Sequence, residues 1–466
     1  MLDLKQYKSK HYVHIDNSVT IKKAEKYVTN PKWIAQHSFL PFLHQVNSFD
    51  KLSKLSKPYS ELTVDERKKY KRHLILRSKS YGVKQKDRNI MMAGHIDSFI
   101  YHYYADQLNK KYNEWSVMHG IDSCAIAYRD NKPHQSNITF AAEIINQIQL
   151  MQSGYILVGD FKEFFDNINH RILKQRILKV LQEEKLSDDW YNVYRSITKY
   201  GYYEKLLLSE LFGTDKDLKK RHKYTYFNNF NDFKIFKKYV KPEYNKTNYG
   251  IPQGSAISAV MANVYATEFD VELNERIKKL NGIYRRYSDD LIIILPGQVL
   301  KKQFDELLSS FEQLVREYKL SIQMDKTKKY LIKNHHLIDL DRNKSASLDY
   351  LGFIYDGQNV TMRGKSPYKL YRKAYALIAK AKATKVKSQK TDRPLSKIPY
   401  RRSIYKYFTD AGVNQGRYGN FITYARRSQS IFDKISPKTD NHMMKQIRHR
   451  KEKMERRMGI KLNIHF

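Results

Sequence analysis

The chain has 466 residues, with 86 Lys+Arg against 48 Asp+Glu and a formal net charge of +38. An excess of that size repels itself unless an anionic partner neutralises it, so a polyanion is the first candidate partner. A 41% hydrophobic share with 37 Tyr and 21 Phe is too aromatic for a disordered chain, and the length allows roughly two to four structural units. Cys124 is the only cysteine, which excludes an internal disulfide framework and a cysteine-based zinc site within one chain. No run approaches the ~20 apolar residues of a membrane span. Met1 to Lys10 also lacks the apolar core of a secretory signal. The expectation is a soluble, intracellular, globular protein that handles nucleic acid.

In chain order, residues 1–80 read as a mostly helical extension broken at Pro31, Pro41 and Pro58, with no glycine before Gly82. From Tyr81 to about Asp356, short apolar runs alternate with helical periods. Ile138, Ala141, Ile145 and Ile148 fall at helical spacing. Tyr155 to Val158 reads as a strand that runs directly into Gly159-Asp160-Phe161-Lys162-Glu163-Phe164-Phe165-Asp166. An insertion at about 197–249 follows, and its Tyr224 to Tyr249 stretch carries nine aromatics separated by Lys and Asn. Two readings of it stay open. Basic residues interleaved with aromatics suit a single nucleic-acid strand. Phe230, Phe233, Phe236 and Tyr239, recurring every three residues, suit a buried helical stripe in a small core of its own or an oligomer contact.

Gly250-Ile251-Pro252-Gln253-Gly254-Ser255 then leads into a helix with Ile257, Met261 and Val264 on one face, which Ser255 can cap. Its glycines let backbone approach a flat or charged ligand. In Tyr284 to Ile294, two β-friendly segments flank a Ser-Asp-Asp turn, a tight hairpin whose second arm is Leu291 to Leu295. Tyr350 to Tyr355 reads as a third strand. Strands interleaved with helices indicate an α+β centre with all-helical flanks. Residues 361–466 hold 28 Lys+Arg against 6 Asp+Glu, a net +22. Within them, Tyr418 to Arg427 forms an aromatic–basic patch on a helix. Lys445 to Arg457 places seven Lys/Arg among Met444, Ile447 and Met454, before a helix stop at Gly459.

The carboxylates carry the chemistry. Adjacent Asp289 and Asp290, beside a buried apolar strand, are costly to hold ionised unless a cation sits there. Hard divalent ions such as Mg²⁺ take carboxylate oxygen and leave positions open for substrate phosphates. Two such ions can drive an in-line displacement at phosphorus, activating a 3′-hydroxyl and stabilising a leaving pyrophosphate. Asp160 and Asp289 are the natural bridging ligands, with Asp290 as support. Arg286, just before the box, reads either as a solvated strand residue or as part of the site.

Taken in order, Asp160 to Phe165, Gly250 to Ser255 and Tyr287-Ser-Asp-Asp290 resemble motifs A, B and C of reverse transcriptases, and are most similar to the bacterial retron, group II intron and phage-defence lineages. Asp325-Lys326-Thr327 resembles motif D, although Asp325 stands where many relatives have Asn. Leu348 to Phe353 resembles the primer-grip segment, while Lys86 and Arg88, and Tyr128-Arg129, resemble fingers motifs. The resemblance implies a right-hand polymerase. Its fingers and RRM-like palm, an antiparallel sheet plus helices, would span 81–357, after the N-terminal extension and before a basic helical thumb and C-terminal extension at 358–466.

The resemblance also implies two Mg²⁺ ions, with Mn²⁺ as substitute, on Asp160, Asp289 and Asp290, and Lys326 protonating the leaving pyrophosphate. Lys86, Arg88, Phe165, Gln253, Gly254 and Tyr287 would serve the nucleotide, Phe165 as the steric gate against a ribose 2′-hydroxyl. Arg129, Leu351, Gly352, Tyr424, Arg426, Arg427, Arg448 and Lys451 would touch nucleic acid. The implied enzyme is an RNA-directed DNA polymerase of the bacterial cytoplasm, making cDNA from dNTPs on a structured or dedicated noncoding RNA, in antiphage defence. An RNA-dependent RNA polymerase and a catalytically dispensable RNA-binding scaffold are the alternatives. Priming, a partner protein and a homo-oligomer stay open, and no membrane is involved.

Overall fold

A computed structural model describes residues 7, 10–55, 61–68, 81–323, 327–390, 395, 397–410 and 419–462. Among its described residues, the extension expected to be helical begins so, in α1 (Ile21–Val28) and α2 (Pro31–Ala35), the latter capped by the Asn30 side chain with Pro31 in its first turn. It then turns into a thirteen-residue strand, β1 (Phe42–Lys54). After α3 (Val64–Lys68), β1 is met by β2 (Tyr81–Met92), antiparallel from Leu43↔Met92 to Lys54↔Tyr81. From His44 to Asp50 the strand has no fully buried side chain, so that stretch lacks the alternating apolar signature; its backbone ladder carries it.

The chain continues through α4 (His95–Met118), α5 (Asn137–Leu150) and β3 (Ser153–Asp160) to α6 (His170–Leu181) and α7 (Asp188–Thr198). The insertion supplies β4 (Gly201–Glu204), α8 (Lys205–Phe212), α9 (Asp215–Lys220), α10 (Phe230–Tyr239) and β5 (Glu243–Tyr244). Next come α11 (Ala256–Tyr265), α12 (Thr267–Lys279), the hairpin β6 (Ile283–Tyr287) and β7 (Asp290–Pro296), and α13 (Lys301–Glu317). The remainder holds β8 (Lys328–Lys333), β9 (His336–Asp339), β10 (Lys344–Ser345), β11 (Leu348–Tyr350), β12 (Phe353–Tyr355), β13 (Asn359–Met362), α14 (Lys365–Ser388), α15 (Arg401–Phe408), α16 (Phe421–Ile435), β14 (Asp440–Asn441) and α17 (Arg450–Met458). The fold is mixed α+β. No helix of the described residues is long and apolar enough to cross a membrane.

Two compact units result, one from Met1–Lys132, Val158–Ile293 and Lys301–Thr327, the other from Pro133–Leu157, Ile294–Leu300 and Lys328–Phe466. The sheets run β2-β1-β4-β5, β10-β9-β8-β3-β7-β6 and β11-β12-β13-β14. Leu291 to Leu295 are all at most 1% exposed, as an apolar run buried on both faces of a sheet should be. The last sheet lies in the second unit, so the C-terminal flank is not all-helical. The expected single strand Tyr350–Tyr355 is two strands, because Leu351 (φ 44°) and Gly352 (φ 101°) both turn left-handed. Two consecutive positive φ values make the tight two-residue hairpin turn.

In the first unit, the insertion builds a small core shared with the N-terminal extension and β1. Tyr203, Leu208, Leu218, Tyr226, Phe227 and Phe233 pack with Val13, Ile15 and Leu43, and Phe212, Phe236 and Val240 lie against them. The expected stripe on α10 is only half correct, since Phe230 is 53% and Tyr239 84% exposed. At about 100° per residue, a three-residue repeat drifts about 60° per step. Four members therefore span half the helix circumference, and only the middle pair reaches the core.

Candidate active site

Asp160 ends β3 and Asp290 begins β7, the adjacent strand of the sheet. The Phe161 amide donates to the Asp289 carbonyl at 3.0 Å, tying the two acidic segments together at neighbouring strand ends. Beyond them, Gln323 N donates to Asp160 O (2.9 Å) and Lys162 N to Ser321 O (2.8 Å). The chain there heads toward Asp325 and Lys326, which lie outside the described residues.

Ser288 and Asp289 form the two-residue turn between β6 and β7, with Ser288 at φ 61°. A non-glycine residue in that conformation persists only where its surroundings impose it. Here the imposing group is Arg286, whose side chain is fully buried rather than solvated. Its Nη1 donates to Ser288 O (3.0 Å) and Asn263 Oδ1 (3.1 Å), while Nε and Nη2 form a fork onto Asp270 at 2.9 and 2.6 Å. The Tyr284 hydroxyl completes the Asp270 shell at 2.7 Å. Burial alone would lower the Arg286 pKa, but the Asp270 carboxylate outweighs it and holds the guanidinium above its ordinary value. Burial, then Asp270, pushes the Tyr284 hydroxyl well up. Asn263 Nδ2 also donates to Ala127 O (2.8 Å), so one polar network joins α11, α12, the hairpin and the Ala127 segment.

The Gly250–Ser255 loop is stitched at both ends. Gly250 N donates to Ile168 O (2.9 Å) and Ile251 N to Phe165 O (3.0 Å), which fixes the loop to the segment after Asp160. His170 Nε2 donates to Gly250 O at 2.7 Å, and burial lowers the pKa of this ring, favouring the neutral form. At the far end Met91 N donates to Gln253 O (2.8 Å). Gly254 has φ +116°, and a Cβ there would sit 2.8 Å from Met91 O, so glycine alone fits. Ser255 has the extended backbone of a cap, yet its Oγ is buried without a hydrogen-bond partner and caps nothing.

Phe165, Gln253 and Gly254 thus join Asp160 and Asp289 in one bonded frame that reaches the end of β2. Lys86 and Arg88 stand exposed further along β2, two residues apart and hence on one face, with Arg88 Cζ 5.4 Å from the Phe49 ring centre. Tyr287 is half-buried at the end of β6. Arg129 departs from the expected nucleic-acid contact. It is 9% exposed, and its guanidinium donates to Asn113, to Ala125 O (2.9 Å) and to Asp122, so it serves the fold.

The other expected nucleic-acid residues lie in the second unit. Leu351 O accepts from Asn137 Nδ2 (3.1 Å), which also reaches the Tyr424 hydroxyl (3.4 Å), so Asn137 links the Leu351-Gly352 turn to α16. Arg426 is exposed but pairs with Asp410 (3.0 Å), an acid it shares with the buried Arg450 (2.6 Å). Arg427 and Arg448 are exposed, the latter donating to His449 (2.8 Å), and Lys451 is half-buried. The residues missed from sequence are Asp270, Asn263, His170 and Asn137. Of these only Asn263 carried a signal, as a polar residue inside the apolar Val260–Tyr265 run.

Among the described residues no group of three or more His, Cys, Asp or Glu side chains is gathered to hold a metal ion. Mg²⁺ asks for less, one or two carboxylates with the remaining positions taken by water and substrate phosphate, and the carboxylate set at the joined strand ends suits that demand.

Residues 108–355, more than half of the chain, match the family model described as reverse transcriptase (RNA-dependent DNA polymerase). No curated protein matches the sequence. Similar solved structures include apo telomerase from Candida tropicalis truncated from the C-terminal domain, at 14% identity and TM-score 0.39 over 60% of this chain and 53% of that one. They also include Candida albicans telomerase in complex with a TWJ fragment of telomeric RNA, at 11% identity and TM-score 0.39 over 81% of this chain and 61% of that one. The corresponding Candida tropicalis complex gives 14% identity and TM-score 0.37 over 80% and 61%. The chain thus spans between half and two thirds of the length of these structures.

Proposed function

The chain belongs to the reverse transcriptase family, enzymes of nucleotidyl transfer, and from that premise we propose that it extends DNA on an RNA template at the junction of Asp160 and Asp289. The observation that carries the reading is the main-chain stitching of three distant segments, Asp160–Phe165, Gly250–Gly254 and Ser288–Asp290, into one frame. Asp160 and Asp289 hold the divalent ions in this reading, with Asp290 beside them. Bound there, Mg²⁺ supplies the positive charge that activates a 3′-hydroxyl and stabilises the leaving pyrophosphate. Phe165, fixed through its carbonyl by Ile251, bars a ribose 2′-hydroxyl. Gln253 and Gly254 present backbone to the base pair, and Lys86 and Arg88 offer charge to the triphosphate.

Purified protein given a primed RNA template, labelled dNTPs and Mg²⁺ should make DNA, and Asp289→Ala with Asp290→Ala should abolish synthesis. Synthesis that survives the double change sinks the two-ion assignment; preference of the wild type for rNTPs sinks the DNA product. The finer reading is a dedicated structured RNA gripped by the basic region beyond residue 360, and service in bacterial antiphage defence, supported by the likeness of the motifs to those lineages. Unchanged phage plating after deletion of the gene would count against the defence role.

A further inference from the structure

The insertion settles its own fold without using all of its aromatics. Ten aromatic side chains are among the exposed large hydrophobics of the described chain, and five of them, Tyr224, Phe230, Tyr239, Tyr244 and Tyr249, fall between residues 224 and 249. Scattered exposed apolar residues need no explanation, but half of the total within 26 residues is a concentration. Tyr239 is the most exposed of the set at 84%.

The charge around them has one sign. Residues 219–246 carry nine Lys+Arg against two Asp+Glu. On α10, Phe233, Phe236 and Val240 face the small core. Phe230, Lys234 and Lys237 fall within about 60° of one another on a different side of the helix, by its 100° step. Lys234, Lys237 and Lys238 are all exposed, and none is ion-paired with an acid among the described residues. Lys234 Nζ stands 5.5 Å from the Phe230 ring centre, so a cation and a ring already share one spot. The helix is anchored, since Tyr203 donates to Val240 O (2.9 Å) and its core edge is packed; the exposed side is therefore a firm platform.

We propose that the solvent-facing surface of α10, which runs from Phe230 and Lys237 past Lys234 and Lys238 to Tyr239 about half-way round the helix, binds single-stranded RNA, with the two rings stacking on bases at its opposite edges and the three lysines contacting phosphates. Unpaired bases present flat faces to rings, and the strand's phosphates complement a lysine set with no acidic partner. A duplex would offer the same phosphates but no free base faces. The choice of RNA rests on the polymerase reading, in which RNA is the long strand the protein carries; the platform itself is independent of catalysis.

The test uses the full chain and a fluorescent oligo-uridine of about 20 nucleotides, followed by anisotropy at several salt concentrations. Phe230→Ala with Tyr239→Ala should weaken binding roughly five- to a hundred-fold per lost stack. Lys234→Glu, Lys237→Glu and Lys238→Glu together should flatten the log Kd against log salt slope by about 2. Extension of a short primer–template hybrid and the melting temperature should stay at wild-type values, since all five side chains are exposed. Unchanged oligo-uridine affinity in both variants overturns the proposal, as does a loss of extension in step with binding. Nucleic acid photo-crosslinked to α10 in cells should be released by ribonuclease. An adduct released only by deoxyribonuclease, or by neither, also overturns it. The failure of the polymerase reading is separately visible, because Asp289→Ala with Asp290→Ala should leave oligo-uridine binding intact.

Discussion

The Ser288–Asp289 hairpin and the α10 platform both gather positive charge, and they treat it in opposite ways. At the hairpin, Arg286 is stripped of water and four of its contacts are spent on Asp270, Asn263 and Ser288. On α10 the lysines remain in water with no acid to satisfy them. A saturated charge cannot greet a ligand; it can only set geometry. An unsaturated one sets no geometry but is free to neutralise a phosphate. Burial and pairing therefore separate a positioning cation from a binding cation more sharply than sequence context does, since Arg286 directly precedes the most suggestive motif of the chain.

The largest effect that tests this contrast is removal of one partner. Asp270→Ala or Arg286→Ala should cost about 3–5 kcal/mol by leaving a buried charge alone, read as a fall in melting temperature. Arg286→Met with Asp270→Leu should cost clearly less than either single change. If the folded double variant nevertheless loses turnover while keeping its nucleotide KM, the pair positions the aspartate turn. A double variant as active as wild type would reduce it to a structural pair.

Phe233→Ala, in the insertion core, should cost about 3–5 kcal/mol, whereas Phe230→Ala, one turn away and half exposed, should cost under about 1 kcal/mol. Equal losses in chemical denaturation would erase the division between core and platform. Gly254→Ala should cost about 1–3 kcal/mol through its left-handed backbone and the clash with Met91 O, with activity falling alongside.

The smallest effect concerns Asp106, a half-buried carboxyl whose pKa is raised to about 6 by burial and then by the Asp130 carboxylate. The folded state keeps this proton where the unfolded chain has lost it, so stability falls as pH rises from about 4 to 6. Asp106→Asn should then raise the melting temperature at pH 7 and leave it unchanged near pH 3, by no more than about 1 kcal/mol after solvent screening. A stabilisation of equal size at both pH values would show that charge is not its source.

The sequence made the acidic strand ends and the glycine loop legible because each is local, an apolar run followed by a carboxylate or a turn residue followed by a helix. Leu291 to Leu295 announced a buried strand by composition alone. What stayed hidden depends on partners distant in the chain. β1 has no alternating pattern because its stability comes from the ladder to β2. Asp270 looks like any helical acid until Arg286 is folded over it, and Arg129 looks like a free cation until Asn113 and Asp122 enclose it. The Leu351-Gly352 turn was concealed by a leucine in a conformation that usually signals glycine or asparagine.

The hydrogen bond from Phe161 to Asp289 has a consequence in time. Asp289 is made 129 positions after Asp160, whereas α4 and α5 are complete by Leu150 and the insertion by Tyr249, forty positions sooner. Contacts between segments so far apart carry a large loop-closure entropy and form slowly. The nascent protein would therefore expose its basic insertion to cellular RNA before it owns a centre able to copy any.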